Sequence, residues 1–162
     1  VDQSIADYFG VQLLDRVQRE VIWHHGGMQP VGTSIIVRGT SGGSRIKYVA
    51  HTPTMIIPQD IHHTKNVYFA MKAMLDAVER HNRNSFLDDV LKPITHVVCP
   101  GLGTNTGRVP ADDAARQMAT AYHHFKNKPK NINWYFASKR FNEIISSSIE
   151  RVETGYEDLI FE

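Results

Sequence analysis

Apolar residues recur at helical spacing near the start of the chain. In residues 11–24 the repeating positions are Val11, Leu14, Val17 and Val21. Positions three and four residues apart share one face of a helix, so this stretch is a predicted amphipathic helix. Residues 2–9 form a shorter predicted helix, which Gly10 separates from the longer one. The pair Gly26-Gly27 is expected to end the second helix, because glycine commonly follows a helical C-terminus.

Three more segments are predicted helices: residues 64–81, 111–125 and 134–149. The apolar positions in the first are Val67, Met71, Met74, Leu75 and Val78. Those of the second are Ala115, Met118, Ala119 and Tyr122, which we expect to form its buried face. Thr64 is a plausible N-cap for the first, because its hydroxyl can accept a bond from a free backbone N–H group.

Short segments rich in β-branched residues lie between the helices. Residues 31–37 and 46–51 are predicted strands, and Ser41-Gly42-Gly43-Ser44 is a predicted turn between them, so the three form a hairpin. Residues 94–99 are apolar and are predicted as a buried strand. Helices that alternate with strands in this way are typical of an α/β fold with a central sheet.

Composition limits the classes of function. The length of 162 residues suits one domain with a real core, and a net charge of +1 gives no general attraction to nucleic acid or to an anionic membrane. Any anion binding must therefore be local. The single cysteine, Cys99, rules out an internal disulfide and a multi-cysteine zinc site, and it is expected to be a buried, inert thiol in a reducing, cytoplasmic setting.

The segment Pro-Gly-Leu-Gly-Thr-Asn-Thr-Gly-Arg-Val-Pro, residues 100–110, carries the strongest functional signal. A glycine-rich turn between a strand and a helix directs backbone N–H groups and the positive end of the helix dipole at one spot. Gly101, Gly103 and Gly107 are expected to adopt positive φ angles and to let an anion approach the main chain. The segment therefore predicts a phosphate site, and a bulky residue at Gly103 is expected to fill that site without unfolding the domain.

Side chains of this glycine-rich loop fit the same interpretation. Thr104 and Thr106 can donate hydroxyl hydrogen bonds, and Asn105 is expected in the left-handed region, which asparagine visits more readily than most residues. Arg108 can make a bidentate contact with a phosphate or carboxylate at the rim, although a solvated surface charge is an equally good interpretation.

Other glycine-rich motifs fit the loop less well. Five residues separate Gly101 from Gly107 and no Lys-Ser or Lys-Thr follows, so the segment is not a P-loop. Thr106 stands where a dinucleotide-binding fingerprint has its third glycine. A plain strand-to-helix turn remains an alternative, but three glycines and three short polar residues exceed what a turn needs.

Four segments together carry a resemblance to a known family. Residues 1–5 resemble the start of the first helix of macro domains, residues 32–37 and 47–52 resemble a strand pair, and residues 100–110 resemble the second phosphate loop. Residues 100–118 resemble a divergent branch of that family. The resemblance implies one macro-domain-like unit over residues 1–162, with a three-layer α/β/α fold around a central mixed sheet and a C-terminal extension at residues 128–162.

Macro domains bind ADP-ribose, so the resemblance implies that ligand, free or attached to a protein or nucleic acid. We expect no cofactor, no metal and no membrane partner. The residues that the resemblance assigns to the diphosphate and the distal ribose are Gly101, Leu102, Gly103, Thr104, Asn105, Thr106, Gly107 and Arg108. Two of these depart from the family, which often has an aromatic residue at the position of Gly107 and glycine at that of Asn105.

The resemblance begins after the strands and the first glycine loop with which macro domains usually start. Those parts carry the adenine contacts and about half of the phosphate donors in the family. We therefore expect that a missing N-terminal segment completes the sheet and the pocket.

Hydrolysis of an ADP-ribosyl ester or of an ADP-ribose phosphate is a further possibility that the resemblance raises. Asp2 matches an acidic residue that helps to activate water in hydrolytic members, whereas Ala6 stands where those members carry a histidine. The alternative for Asp2 is a carboxylate that stabilises a helix N-terminus.

A different class of function stays open. It is a non-catalytic interaction module that has lost its ligand and acts through the aromatic segment at residues 134–136 and the acidic tail at residues 157–162. The three His-His pairs do not predict a metal site, because adjacent residues on a helix point in different directions.

Overall fold

The computed structural model describes residues 2–39, 46–87 and 91–146, apart from the side chains of Asp2, Gln3 and Ala6. The elements in chain order are α1 (Asp2–Phe9), α2 (Val11–His25), β1 (Ile35–Arg38), β2 (Tyr48–His51), α3 (Asn66–Ser85), α4 (Ala111–Lys126) and α5 (Trp134–Ser146). The predicted helices are confirmed, with small differences at their ends. The predicted turn at 41–44 and the acidic tail at 157–162 lie outside the described residues. Among the described residues, no helix combines the length and apolar character of a membrane span.

Glycine ends α2 as predicted. Gly26 has a φ of 61° in the left-handed region, where glycine avoids the strain that a Cβ atom would add. Its N–H group donates to the carbonyl of Ile22 at 2.9 Å, and the N–H group of Gly27 donates to Val21 at 3.3 Å. These bonds satisfy carbonyls that the end of the helix would otherwise leave free.

The two predicted strands pair as an antiparallel sheet, but they are shorter than predicted, since residues 31–34 and 46–47 lie outside them. Ile35 lies opposite His51 and Arg38 lies opposite Tyr48, so the strands are in register along their whole length. Ile35 and Val37 alternate onto one face of β1 and pack with Phe9 of α1 and Leu13 of α2. This cluster holds the first two helices against the sheet.

Residues 94–99 do not form the predicted buried strand, and that prediction is wrong. The side chain of Val98 is 93% exposed, and the sheet of the described residues contains only β1 and β2. Without a strand partner, the segment is held by a side chain of α3. The amide of Asn82 donates to the carbonyl of Ile94 at 2.8 Å and accepts the N–H group of the same residue at 2.7 Å.

Helix α4 packs on α3 through a face that the hydrophobic pattern did not predict. Its buried residues are Ala114, Gln117, Thr120, Ala121 and His124. Ala115 and Ala119, predicted to be buried, are exposed. The reason is that Gln117 accepts the N–H group of Tyr68 at 3.1 Å and donates to the carbonyl of Thr64 at 3.2 Å. A polar residue with both partners satisfied can be buried.

His124 links three helices through its two ring nitrogens. Nε2 lies 2.9 Å from the Glu143 carboxylate of α5, which can only accept, so Nε2 carries the hydrogen. Nδ1 then accepts the Tyr68 hydroxyl of α3 at 2.9 Å. Burial lowers the pKa of His124 to about 4, with a further contribution from the positive charge of Arg140 and partial opposition from Glu143. His124 is therefore a neutral connector at neutral pH.

The pKa of His124 predicts acid sensitivity. Its folded value of about 4 lies below the ordinary value of 6.5, so the unfolded chain takes up the proton first as the pH falls. The stability that this group contributes is complete above its unfolded pKa and is lost as the pH falls toward the folded pKa. Each pH unit between the two pKa values is worth about 1.4 kcal/mol. Urea unfolding between about pH 7.5 and pH 4.5 should show a steeper decline for the wild type than for His124→Gln.

A matched control is available for that measurement. His123 precedes His124 on the same helix but is only partly buried. His123→Gln keeps the bonds of His124 to Tyr68 and Glu143, so its pH dependence should stay closer to that of the wild type than that of His124→Gln. Equal slopes for the wild type and His124→Gln would contradict the assignment.

Candidate functional site

The glycine-rich loop is closed by three hydrogen bonds within itself. The N–H group of Arg108 donates to the carbonyl of Asn105 at 2.9 Å, and that of Val109 donates to Gly103 at 3.0 Å. The hydroxyl of Thr104 donates to the carbonyl of Gly101 at 2.9 Å. The predicted donation from Thr104 to an anion therefore competes with an existing bond, whereas the described residues provide no partner for the hydroxyl of Thr106.

Successive backbone donors of the loop have no partner within the described part of the chain. They are the N–H groups of Leu102, Gly103, Thr104, Asn105, Thr106 and Gly107. Residues 104–106 are exposed, so water or an anion can reach them. A run of consecutive unpaired N–H groups is the arrangement that binds anions in backbone nests.

The loop leads into the N-terminus of α4, the positive end of the helix dipole. Asp112 and Asp113 lie in the first turn, and Asp113 also contacts Arg116. Carboxylates at this position interact favourably with the dipole and offset part of its attraction for a second anion. The binding capacity of the loop therefore depends mainly on its own N–H groups.

The backbone angles differ from the sequence-based expectation. Among the described residues, Gly103 has a φ of 70° and Arg108 a φ of 53°, whereas Gly101, Gly107 and Asn105 do not have positive φ. Arg108 is the only non-glycine residue of the described ranges in this conformation. The left-handed positions predicted at Gly101, Asn105 and Gly107 are wrong, and the turn that Arg108 closes on Asn105 has its positive φ at Arg108 instead.

Ile61 holds the loop on its core-facing side. Its side chain is 3% exposed and belongs to a core with Val67, Val109 and Ala114. Its N–H group donates to the carbonyl of Gly107 at 3.0 Å. A single residue of the segment before α3 thus holds the loop by a backbone bond and by burial.

The packing explains two of the three glycines. A Cβ atom on Gly103 would lie 3.0 Å from Val67 and 3.2 Å from Val109, and one on Gly107 would lie 2.7 Å from Ile61. These positions point into the core. The expectation that a side chain at Gly103 would fill the anion site without unfolding the domain is therefore wrong, because it would enter the core instead.

Two polar residues beside the loop were not predicted from the sequence. Asp60 and His62 flank Ile61, and one oxygen of Asp60 accepts the N–H group of His62 at 3.0 Å and lies 2.5 Å from its Nδ1 atom. The other oxygen lies 4.0 Å from the Arg108 guanidinium. The hydrogen bonds from His62 hold the pKa of Asp60 below its ordinary value. An apolar residue between Asp and His in a polar stretch was the available sequence signal.

The remaining predicted site residues have different positions. Asp2 begins α1, and its side chain lies outside the described residues, so its catalytic role stays a prediction. Cys99 is half-buried, and burial raises the pKa of its thiol. Within residues 2–39, 46–87 and 91–146, no three His, Cys, Asp or Glu side chains are grouped to hold a metal ion.

The aromatic segment of α5 is open to solvent. Trp134 is 87% exposed, and α5 contributes no fully buried residue in the described part of the chain. Its described contact with the body of the protein includes the bond from His124 to Glu143. The interaction role of this segment stays a prediction.

Comparison with known proteins identifies one family. The model of the Macro domain family matches residues 1–118 of the chain, which include Ile61 and the whole glycine-rich loop. The chain has no significant match among curated proteins. It has none among solved structures.

The loop glycines should differ in their tolerance of alanine. Gly107→Ala should lower the free energy of unfolding by more than about 2 kcal/mol, because the added Cβ meets a backbone oxygen. Gly103→Ala should lower it by about 1–3 kcal/mol, from its positive φ and from the contact with Val67. Gly101→Ala is the control, since Gly101 has no positive φ and its nearest neighbour is the exposed side chain of Thr104 rather than the core or a backbone atom. Urea unfolding measures all three, and equal effects would contradict the packing argument.

Proposed function

The chain belongs to the Macro domain family, and from that premise we propose that it binds ADP-ribose through its glycine-rich loop. Members of the family generally bind ADP-ribose or ADP-ribosylated targets. The observation that carries the proposal is the run of unpaired backbone N–H groups from residue 102 to residue 107. A diphosphate offers several strong acceptor oxygens to such a run.

The small net charge of the protein and the single arginine at the loop support the same ligand. A net charge of +1 leaves the protein without a general field for polyanions. At the loop, Arg108 is 78% exposed and can move toward a phosphate. A compact diphosphate fits backbone donors with one mobile guanidinium better than an extended nucleic acid does.

The proposal includes the larger fold and the partner. The α/β architecture of the family is present in the helices that pack on the β1–β2 sheet. We extend this to a three-layer arrangement around a central mixed sheet. The partner in this proposal is ADP-ribose, free or attached to a protein or nucleic acid, in the cytoplasm.

Titration calorimetry with ADP-ribose tests the proposal directly. ADP-ribose should bind more tightly than AMP or ribose 5-phosphate, because only ADP-ribose presents the diphosphate between two riboses. The full native polypeptide should be used. Absence of heat with ADP-ribose, from protein that unfolds cooperatively, would rule the function out.

A proline at position 106 would remove one backbone N–H donor from the loop. Thr106 is the second residue of the turn that Arg108 closes on Asn105, a position that favours proline. Thr106→Pro should weaken ADP-ribose binding at least about tenfold, since the lost N–H group would face a charged acceptor. Calorimetry of ADP-ribose binding provides the measurement.

Thr106→Val is the matched control. It keeps the N–H group and removes only the hydroxyl, so its Kd should rise less than that of Thr106→Pro. Equal weakening in the two variants, with unchanged stability, would show that the hydroxyl and not the backbone contacts the ligand.

A further inference from the structure

Helix α2 exposes large apolar side chains along the side that it does not bury. Leu13 belongs to the core with Ile35 of β1. Val11, Ile22 and Trp23 are turned to solvent and are 73%, 63% and 84% exposed. Val11 and Ile22 are about three helical turns apart, so they lie on one line along the helix surface. An exposed apolar surface of this length is typical of an interaction site.

Two opposite charges lie between these apolar residues. Asp15 and Arg19 are exposed, and residues four positions apart share one face of a helix. Within residues 2–39, 46–87 and 91–146, neither side chain has an ion-pair partner. On the same helix, Glu20 does pair with His24, at 3.2 Å. Asp15 and Arg19 are therefore available to charges outside this part of the chain.

The spacing of these residues is self-complementary. When two copies of a helix lie antiparallel about a two-fold axis, a contact between two positions occurs twice, once in each direction. If Asp15 lies opposite Arg19 of the partner subunit, the reciprocal pair forms as well. Val11 then lies about 1.5 Å along the axis from the level of the partner's Ile22. One alignment thus pairs both charges and both apolar positions.

We propose that α2 is the interface of a homodimer, in which two copies of the helix lie antiparallel and Asp15 of each copy pairs with Arg19 of the partner subunit. Arg19, Ile22 and Trp23 help to line an open depression of about 510 Å³. In the proposed alignment, Val11 of the partner subunit enters this depression. The inference is independent of the proposed function, because none of these residues belongs to the glycine-rich loop.

The charges favour a second copy, and they favour the antiparallel direction. In a parallel pair, Asp15 would face a second Asp15 and Arg19 a second Arg19, so like charges would repel. A different partner would have to carry the reverse charges at the same spacing, whereas a second copy supplies them by symmetry. Exposed ion pairs contribute little affinity, so the apolar residues hold the copies together and the charges set their orientation.

Sedimentation equilibrium of the full native polypeptide tests the proposal. A contact made by one pair of helices is smaller than a standard interface, so the dimer should dissociate on dilution. Asp15→Arg should raise the Kd of the dimer at least about tenfold, because like charges then meet at two places. Arg19→Asp should do the same. The double variant Asp15→Arg/Arg19→Asp should return the Kd to within about threefold of the wild type, which structural damage would not allow.

The two tryptophans of the chain provide a matched pair of variants. Trp23→Ala removes apolar surface from the proposed interface and should raise the Kd at least about tenfold. Trp134 on α5 is as exposed as Trp23 but lies outside the interface. Trp134→Ala should therefore leave the Kd of the dimer unchanged.

Four outcomes would overturn the inference. A wild-type protein that stays monomeric at every concentration has no such dimer. A double variant as weak as the single ones would rule out the pairing of Asp15 with Arg19. An equal loss in Trp23→Ala and Trp134→Ala would remove the interface from α2. In Trp134→Phe, Trp23 is the remaining tryptophan, and a monomer that shields it from acrylamide quenching would show that another segment covers α2.

Discussion

The burial of Ile61 beneath the glycine-rich loop is the contact on which the candidate site depends. It packs against Val109 of the loop, and it joins the loop to α3 through Val67 and to α4 through Ala114. The same residue bonds to Gly107 through its backbone, so the loop is fixed before any ligand arrives. A loop that is already ordered loses less conformational entropy on binding. The glycines above Ile61 are needed for this packing as much as for access by an anion.

A second set of contacts keeps the two long helices in place. Gln117 and His124 are buried on α4, and the polar atoms of each form hydrogen bonds with neighbouring elements. Such bonds are directional, so they fix the rotation of α4 about its axis more strictly than apolar contacts alone. Since the loop runs directly into α4, the rotation of that helix also sets the direction in which the loop's last residues leave the core.

The groups around the site act on an anion in opposite directions. The free N–H groups of the loop attract anions, whereas Asp112, Asp113 and Asp60 repel them. Arg108 belongs to the loop and also pairs with Asp60, and its backbone has a strained, positive φ angle. Strain of this kind persists where surrounding contacts impose it, which here are the turn bond to Asn105 and the packing of Val109. The balance favours a small, strongly charged group bound by the main chain over a large anionic surface.

The sequence alone determined the helices, the strand pair, the glycine that ends α2 and the position of the loop, because these follow from local spacing and from the backbone freedom of glycine. The residues of the loop and of the segments before it also indicated the family. Tertiary structure decided the rest. Residues 94–99 have strand-like composition but no strand partner in the described chain, and α4 buries Gln117 and His124 because distant residues satisfy their polar atoms. Asp60 and His62 became site residues only through Ile61. Hydrophobic pattern reports which atoms avoid water, whereas hydrogen-bond partners far along the chain decide which polar atoms can do so.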